Sequence, residues 1–292
     1  MELLKPEVLE KIRTLNLKAK IIVKGFLTGL HESPYHGFSL EFKQHRPYYQ
    51  GDPINKINWK LYARTERFYL KKYQAETNLS AYILLDKSNS MKFGENISKF
   101  HYARTLAASL AYLLLKQNDS VGLVLFDSKI DSFIPARCRM NHLKYIFSTL
   151  SNKEPSGKTS ISDVALGLLP LIKKRSLFII FSDLLEDPNS VIKSISVIKA
   201  KKHEVIVFQI LDRKELSLSY STEALFRDME SPKSIFANPK NIRSLYKEKF
   251  EEFILKYKTE FAPRRIDYSN IITDMPYDKV LTKYLDKRKH LL

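Results

Sequence analysis

Three places in this 292-residue chain gather carboxylates and hydroxyls at what read as strand ends. Asp86-Lys87-Ser88-Asn89-Ser90 follows an apolar run. Thr159 lies in Ser156-Gly157-Lys158-Thr159-Ser160, just ahead of a helical pattern. Asp183 lies in Phe181-Ser182-Asp183-Leu184, straight after another apolar run. Oxygen ligands with no histidine or cysteine among them suit a hard divalent cation: Mg²⁺ first, with Mn²⁺ or Ca²⁺ as alternatives. Two carboxylates leave six-coordination of such an ion incomplete. Ser88, Ser90 and Thr159 can add neutral oxygens, and water fills most of the rest. One position stays open for an acidic side chain from outside. Each piece alone reads as a helix cap, because Asp, Ser and Thr commonly cap at strand-to-helix turns. The cation reading rests on all three together.

Those residues need a scaffold that brings them to one edge. From residue 80 the chain alternates apolar runs of strand length with amphipathic stretches. The expected strands are 79–85, 121–126, 176–181 and 205–211, with a short edge strand at 132–136. The expected helices are 99–117, 141–150, 161–172 and 189–199. Strands that are apolar throughout belong to a sheet covered on both faces. The fold class is therefore α/β: a doubly wound, mostly parallel sheet with a smaller appended N-terminal and C-terminal region. Such sheets bind ligands at the carboxyl ends of their strands, where the strand order reverses. The expected organisation is an N-terminal segment, 1–75, packed on a core of 76–212, with a C-terminal extension, 213–292. The extension is expected to hold a short strand at 225–228, a long charged helix at 241–258, a strand at 265–272 and a last helix. Residues 31–75 are turn-rich. Arg46, Asp52, Trp59, Arg64 and several tyrosines there form either an internal ion-pair and stacking network or a docking surface.

Composition excludes several classes. The net charge is +17, but residues 1–75, 76–211 and 212–292 carry +7, +6 and +4. A dedicated nucleic-acid module concentrates its basic charge on one element, so nucleic acid is not the expected partner. No stretch reaches the roughly 18 apolar residues that span a bilayer. The start has no basic leader followed by an apolar run, so a cytoplasmic location is the default expectation. Cys138 is the single cysteine, which excludes an intrachain disulfide and a thiolate cluster.

The run Asp86, Ser88, Ser90, with the later Thr159 and Asp183, resembles the metal-ion-dependent adhesion site of von Willebrand factor A domains. The resemblance implies that Ser88, Ser90 and often Thr159 touch the metal directly, and that the aspartates act directly or through water. Flanking residues extend the likeness: His31-Glu32-Ser33, Gly37 to Phe42, Arg46-Pro47-Tyr48, Gly51-Asp52, Ile57-Asn58-Trp59, Tyr62 to Thr65, Ile272-Thr273-Asp274, Tyr284-Leu285 and Arg288. Over nearly the whole chain they resemble the bacterial family called domain of unknown function 58. That family implies a von Willebrand factor A-like domain with its metal site, and a MoxR-type AAA+ ATPase as partner. It implies no reaction.

Two alternatives remain open. A Mg²⁺-dependent phosphatase of haloacid dehalogenase type also places Asp after the first strand and uses later acids such as Asp183 and Asp187. It wants a second carboxylate two residues after the nucleophile, and Ser88 stands there. A nucleic-acid-binding protein is motivated by the net charge alone. Gly157-Lys158-Thr159 is similar to the end of a phosphate-binding loop, but Asn152 holds the position of that motif's first glycine. The expectation is a non-enzymatic, cation-dependent adaptor that grips the ATPase or its client through an acidic residue.

Overall fold

The computed structural model describes residues 5–10, 12, 14–31, 45–47, 59–71, 80–220 and 222–289. The chain divides into one unit of residues 1–29 with 79–292 and another of residues 30–78. The expected N-terminal segment is thus split. Helices α1 (Pro6–Glu10) and α2 (Leu15–His31) come first. Leu9, Ala19, Ile22, Val23 and Phe26 are buried, and Glu10 lies 3.5 Å from His101 of the larger unit. The smaller unit holds β1 (His45–Pro47), α3 (Trp59–Thr65) and β2 (Tyr69–Lys71), with β1 antiparallel to β2. Within it Tyr62 stacks on Phe68 at 4.4 Å, and Trp59 meets both edge-on. Asp52 of the expected network lies outside the described residues.

The larger unit continues with β3 (Ser80–Asp86), a 3-10 turn at Asn89–Lys92, α4 (Lys99–Lys116), β4 (Ser120–Phe126) and β5 (Ile130–Arg137). Helices α5 (His142–Asn152) and α6 (Ile161–Leu168) lead to β6 (Leu177–Ser182), α7 (Pro188–Ala200) and β7 (Glu204–Leu211). Then follow α8 (Arg213–Ser217), β8 (Ala224–Arg227), β9 (Ser234–Ala237), α9 (Pro239–Phe261), β10 (Asp267–Ile272) and α10 (Tyr277–Lys289).

Six strands form one sheet in the order β10-β7-β6-β3-β4-β5, parallel except for β5. The four central strands are apolar on both faces because both faces are covered. Tyr82, Leu84, Phe178, Ile180, Val205 and Val207 pack under α6, α7 and α9. Ile83, Leu85, Ile179, Phe181 and Phe208 are also fully buried, so the opposite face is closed as well. This mixed α/β architecture is compatible with a doubly wound fold. Residues 213–292, read from sequence as an extension, supply the edge strand β10, which pairs with β7 from Asp267↔Ile206 to Ile272↔Leu211. An edge strand is half exposed, so polar residues are tolerated in it, and Asp267, Ser269 and Asn270 hid its place in the core sheet.

The chain leaves β3 toward β4 on one side and later returns to β6 on the other. The crevice between the ends of β3 and β6 is therefore the point where the strand order reverses, the place such sheets offer to ligands.

Candidate functional site

Asp86 is the last residue of β3. Leu85 pairs with Phe181, so Asp86 comes level with Ser182 at the end of β6. Asp86 is fully buried. Its Oδ2 accepts the Ser182 hydroxyl at 2.6 Å and its Oδ1 accepts the Ser88 N–H at 2.8 Å. The Ser88 and Ser90 hydroxyls lie 3.0 Å apart, and the Thr159 hydroxyl lies 3.4 Å from Asp86 Oδ2. Asp86, Ser88, Ser90 and Thr159 thus come together from two segments 73 residues apart.

The loop carrying Thr159 is tied to the loop carrying the serines by its backbone. Asn89 N–H donates to the Gly157 carbonyl at 2.9 Å, and Ser156 N–H to the Lys87 carbonyl at 2.6 Å. Gly157 has φ +78°, which only glycine adopts without strain, and a Cβ there would meet Asp127 Oδ2 at 3.2 Å. The Lys87 amine, nearly buried, donates to Asp127 at 2.6 Å and to the Ser156 hydroxyl at 2.9 Å. Lys158 and Thr159 therefore belong to a loop clamped against the end of β3 and Asp127.

Asp183 follows Ser182 directly and is also fully buried. Its Oδ2 accepts the Lys99 amine at 2.8 Å and its Oδ1 the Leu185 N–H at 3.3 Å. Lys99 opens α4 and also donates to Glu215 Oε1 at 2.5 Å. A cation at a helix N-terminus is opposed by the helix dipole, so these two carboxylates are what hold it there. Burial works against the charged amine, but Asp183 and Glu215 outweigh it and raise its pKa. Asp183 is thus near enough to Asp86 for its charge to act on that carboxyl, and it is itself held by Lys99. Leu184, fully buried at φ 57°, carries the kind of backbone strain that clusters at functional sites.

The surroundings are rich in acid. Burial first, then the charge of Asp183, pushes the Asp86 carboxyl up to about 7. Glu186 is raised by burial and by Glu230 and Asp183. Glu215 is raised by burial, with Asp183 adding to it against Lys99. In a chain of net charge +17, this pocket has negative charge to spare. Among the described residues no cluster of three or more His, Cys, Asp or Glu is arranged to hold a metal. A cation here would draw on hydroxyls, and the donor set fits one: a buried carboxylate, a close pair of serine hydroxyls and a threonine hydroxyl.

Sequence reasoning missed Ser182, Lys99, Glu215, Glu186 and Glu230. Ser182 was within reach, since it precedes Asp183 in a strand whose end had been placed. Asp187, one of the acids the phosphatase alternative would use, instead caps α7 by accepting the Ser190 N–H at 3.0 Å. Cys138 is exposed and donates to the Asn118 carbonyl at 3.0 Å. A separate cavity of about 460 Å³, lined by Lys5, Glu95, Asp212 and Thr273 among others, opens beside the ends of β7 and β10 rather than at this crevice.

Known proteins similar to this chain include uncharacterized proteins of Mycobacterium bovis and Mycobacterium tuberculosis. Each is 25% identical over 230 residues, covering 77% of this chain and 72% of its own length. Among solved structures, BatB from Bacteroides thetaiotaomicron is similar with a TM-score of 0.46 and 15% identity, over 72% of this chain and 98% of that one. An aerotolerance-related membrane protein from Bacteroides fragilis gives a TM-score of 0.45 and 15% identity, over 72% and 99%. The family model described as protein of unknown function DUF58 matches residues 44–253, most of the chain, and the chain belongs to that family.

Proposed function

We propose that this protein is a cation-dependent adaptor. Its larger unit acts as a von Willebrand factor A-like domain, and Asp86, Ser88, Ser90, Thr159 and Asp183 act as a metal-ion-dependent adhesion site. The observation that carries this reading is the convergence of the Ser88, Ser90 and Thr159 side chains on the buried Asp86 at the strand-order switch. Mg²⁺ is the cation of choice, with Mn²⁺ or Ca²⁺ as alternatives. When bound, the ion supplies positive charge that an acidic side chain of a partner can share.

The chain's own residues have distinct parts in this. Asp86 supplies the carboxylate, fixed by Ser182 and the Ser88 N–H. Ser88, Ser90 and Thr159 supply neutral oxygens, which leave the ion's charge uncancelled and available to a partner. Asp183 adds charge from behind, moderated by Lys99. The partner inferred from the family resemblance is a MoxR-type AAA+ ATPase, or that ATPase's client. Among the described residues no helix is long and apolar enough to cross a membrane, and a cytoplasmic setting is proposed with the partner. Catalysis is not part of this reading. The place of a second catalytic carboxylate is taken by Ser88, which meets Ser90, and Asp86 already accepts hydrogen bonds at both oxygens.

The test is co-purification of the tagged chain with a MoxR-type AAA+ ATPase, in Mg²⁺ and in EDTA. Capture in Mg²⁺ that is lost in EDTA and in the double variant Ser88→Ala, Ser90→Ala supports the proposal. Equal capture in all three conditions places the contact elsewhere.

A further inference from the structure

Glu230 reaches this site from the tip of a hairpin. Strands β8 and β9 pair antiparallel up to Arg227↔Ser234, leaving residues 228–233 as the turn. Asp228 braces that turn. It accepts the Glu230 N–H at 2.9 Å and the Ser231 hydroxyl, and its own N–H donates to the Lys233 carbonyl at 2.9 Å. Much of the hairpin behind the turn stays in solvent: Leu225, Ile235 and Phe236 are 50%, 69% and 67% exposed, while Ala224 and Phe226 are half-buried. The tip turns inward. Glu230 Oε2 accepts the Thr159 N–H at 3.0 Å, while Oε1 lies 3.1 Å from the Thr159 hydroxyl and accepts the Ser90 N–H at 3.4 Å.

That placement is electrostatically odd unless the site is built for it. Glu230 brings a carboxylate to a pocket that already holds Asp86, Asp183 and Glu186, and its charge bears on Glu186. Among the described residues no lysine or arginine pairs with it. What receives it is a set of donors: two backbone N–H groups and a hydroxyl converging on one carboxylate, the makings of an anion site. The donors belong to Ser90 and Thr159, the same residues whose hydroxyls are offered to the cation.

We infer that Ser90 and Thr159 form a carboxylate-binding subsite beside the cation. Glu230 of the same chain fills it in this structure, and a partner's glutamate or aspartate enters by displacing Glu230. The inference rests on the cation reading above and adds to it the backbone and hydroxyl donors that hold a carboxylate there and a built-in competitor for them. A tethered occupant acts at an effective concentration in the millimolar range, so it suppresses a free acidic ligand strongly. Removing it raises the apparent affinity for such a ligand by the inverse of the fraction of time the subsite is open.

The test uses the full chain, as wild type, Glu230→Ala and the conservative Glu230→Gln. The probe is a synthetic peptide of residues 226–235, which carries Glu230 in its natural turn sequence, alongside the same peptide with glutamine at that position. Binding is read in Mg²⁺ from the amide resonances of Ser90 and Thr159, which register even weak occupancy. Both variants should bind the glutamate peptide at least tenfold more tightly than wild type and discriminate against the glutamine peptide. Equal binding by wild type and variants, or no preference for glutamate, would overturn the inference. Titration of Mg²⁺ alone into wild type keeps the two readings apart: absence of Mg²⁺ binding removes the proposed function. Mg²⁺ binding without peptide discrimination removes only the subsite.

Discussion

Replacing Asp86 by Asn isolates the electrostatic cost of the site. The folded protein holds this carboxyl at about 7 against an ordinary 3.8, through burial and the neighbouring Asp183. A carboxyl raised on folding takes up a proton as the chain folds, so its effect on stability worsens as pH rises between those two values. Below about pH 4 the group is neutral in both states and costs nothing. Above about pH 7 it is charged in both, and the cost is fully expressed. The interval corresponds to about 4 kcal/mol. Asn carries no charge at any pH, so in EDTA the Asp86→Asn variant should match wild type near pH 4 and exceed its stability by up to about 4 kcal/mol near pH 8. Mg²⁺ should narrow the gap. An ion at a hundred times its dissociation constant adds about 2.7 kcal/mol to the chain that binds it. That gain should reach wild type at pH 8, fade toward pH 5 as Asp86 takes its proton, and be missing from the variant. Urea unfolding across pH 4–8.5, with and without Mg²⁺, measures all of this. A pH-independent difference between the two chains, or an equal Mg²⁺ gain in both, would refute the reasoning.

Lys99→Met should destabilise the protein by about 3–5 kcal/mol, because it leaves Asp183 and Glu215 buried without their amine. Denaturant unfolding measures it, and part of the loss should be regained on mild acidification, since burial already raises Glu215. Gly157→Ala should cost about 1 kcal/mol or more at its positive φ and weaken Mg²⁺ uptake several-fold, because Thr159 lies two residues on; calorimetry and unfolding together check it. The isolated protein should show no turnover of phosphate esters or ATP in Mg²⁺. Hydrolysis abolished by Asp86→Asn would revive the phosphatase alternative.

The core of the sheet was legible because burial on both faces leaves a plain mark: continuous apolar runs such as Tyr82 to Leu85 and Leu177 to Phe181. The Asp86, Ser88, Ser90 run was legible for a different reason, being local in sequence and at the end of such a strand. What was not legible depends on contacts across long separations. Lys99 looks like any solvated lysine at a helix start, yet it meets Asp183 84 residues later. Glu230 meets Ser90 across 140 residues, and nothing in its charged turn announces this. The strand Ser234–Ala237 is four residues long with three of them exposed, so it lacked the pattern by which strands are read. Asp183 was legible in position but not in its pairing, because its partner Lys99 comes from the start of α4, distant in sequence.

The central claim is that Asp86, Ser88, Ser90 and Thr159 hold one divalent cation. The direct measurement is titration of metal-stripped protein with Mn²⁺, followed by electron paramagnetic resonance, with Mg²⁺ added as competitor. Wild type should bind one equivalent that Mg²⁺ displaces, while Asp86→Ala and the double variant Ser88→Ala, Ser90→Ala should bind none at that site. Identical stoichiometry and affinity in all three chains would contradict the account.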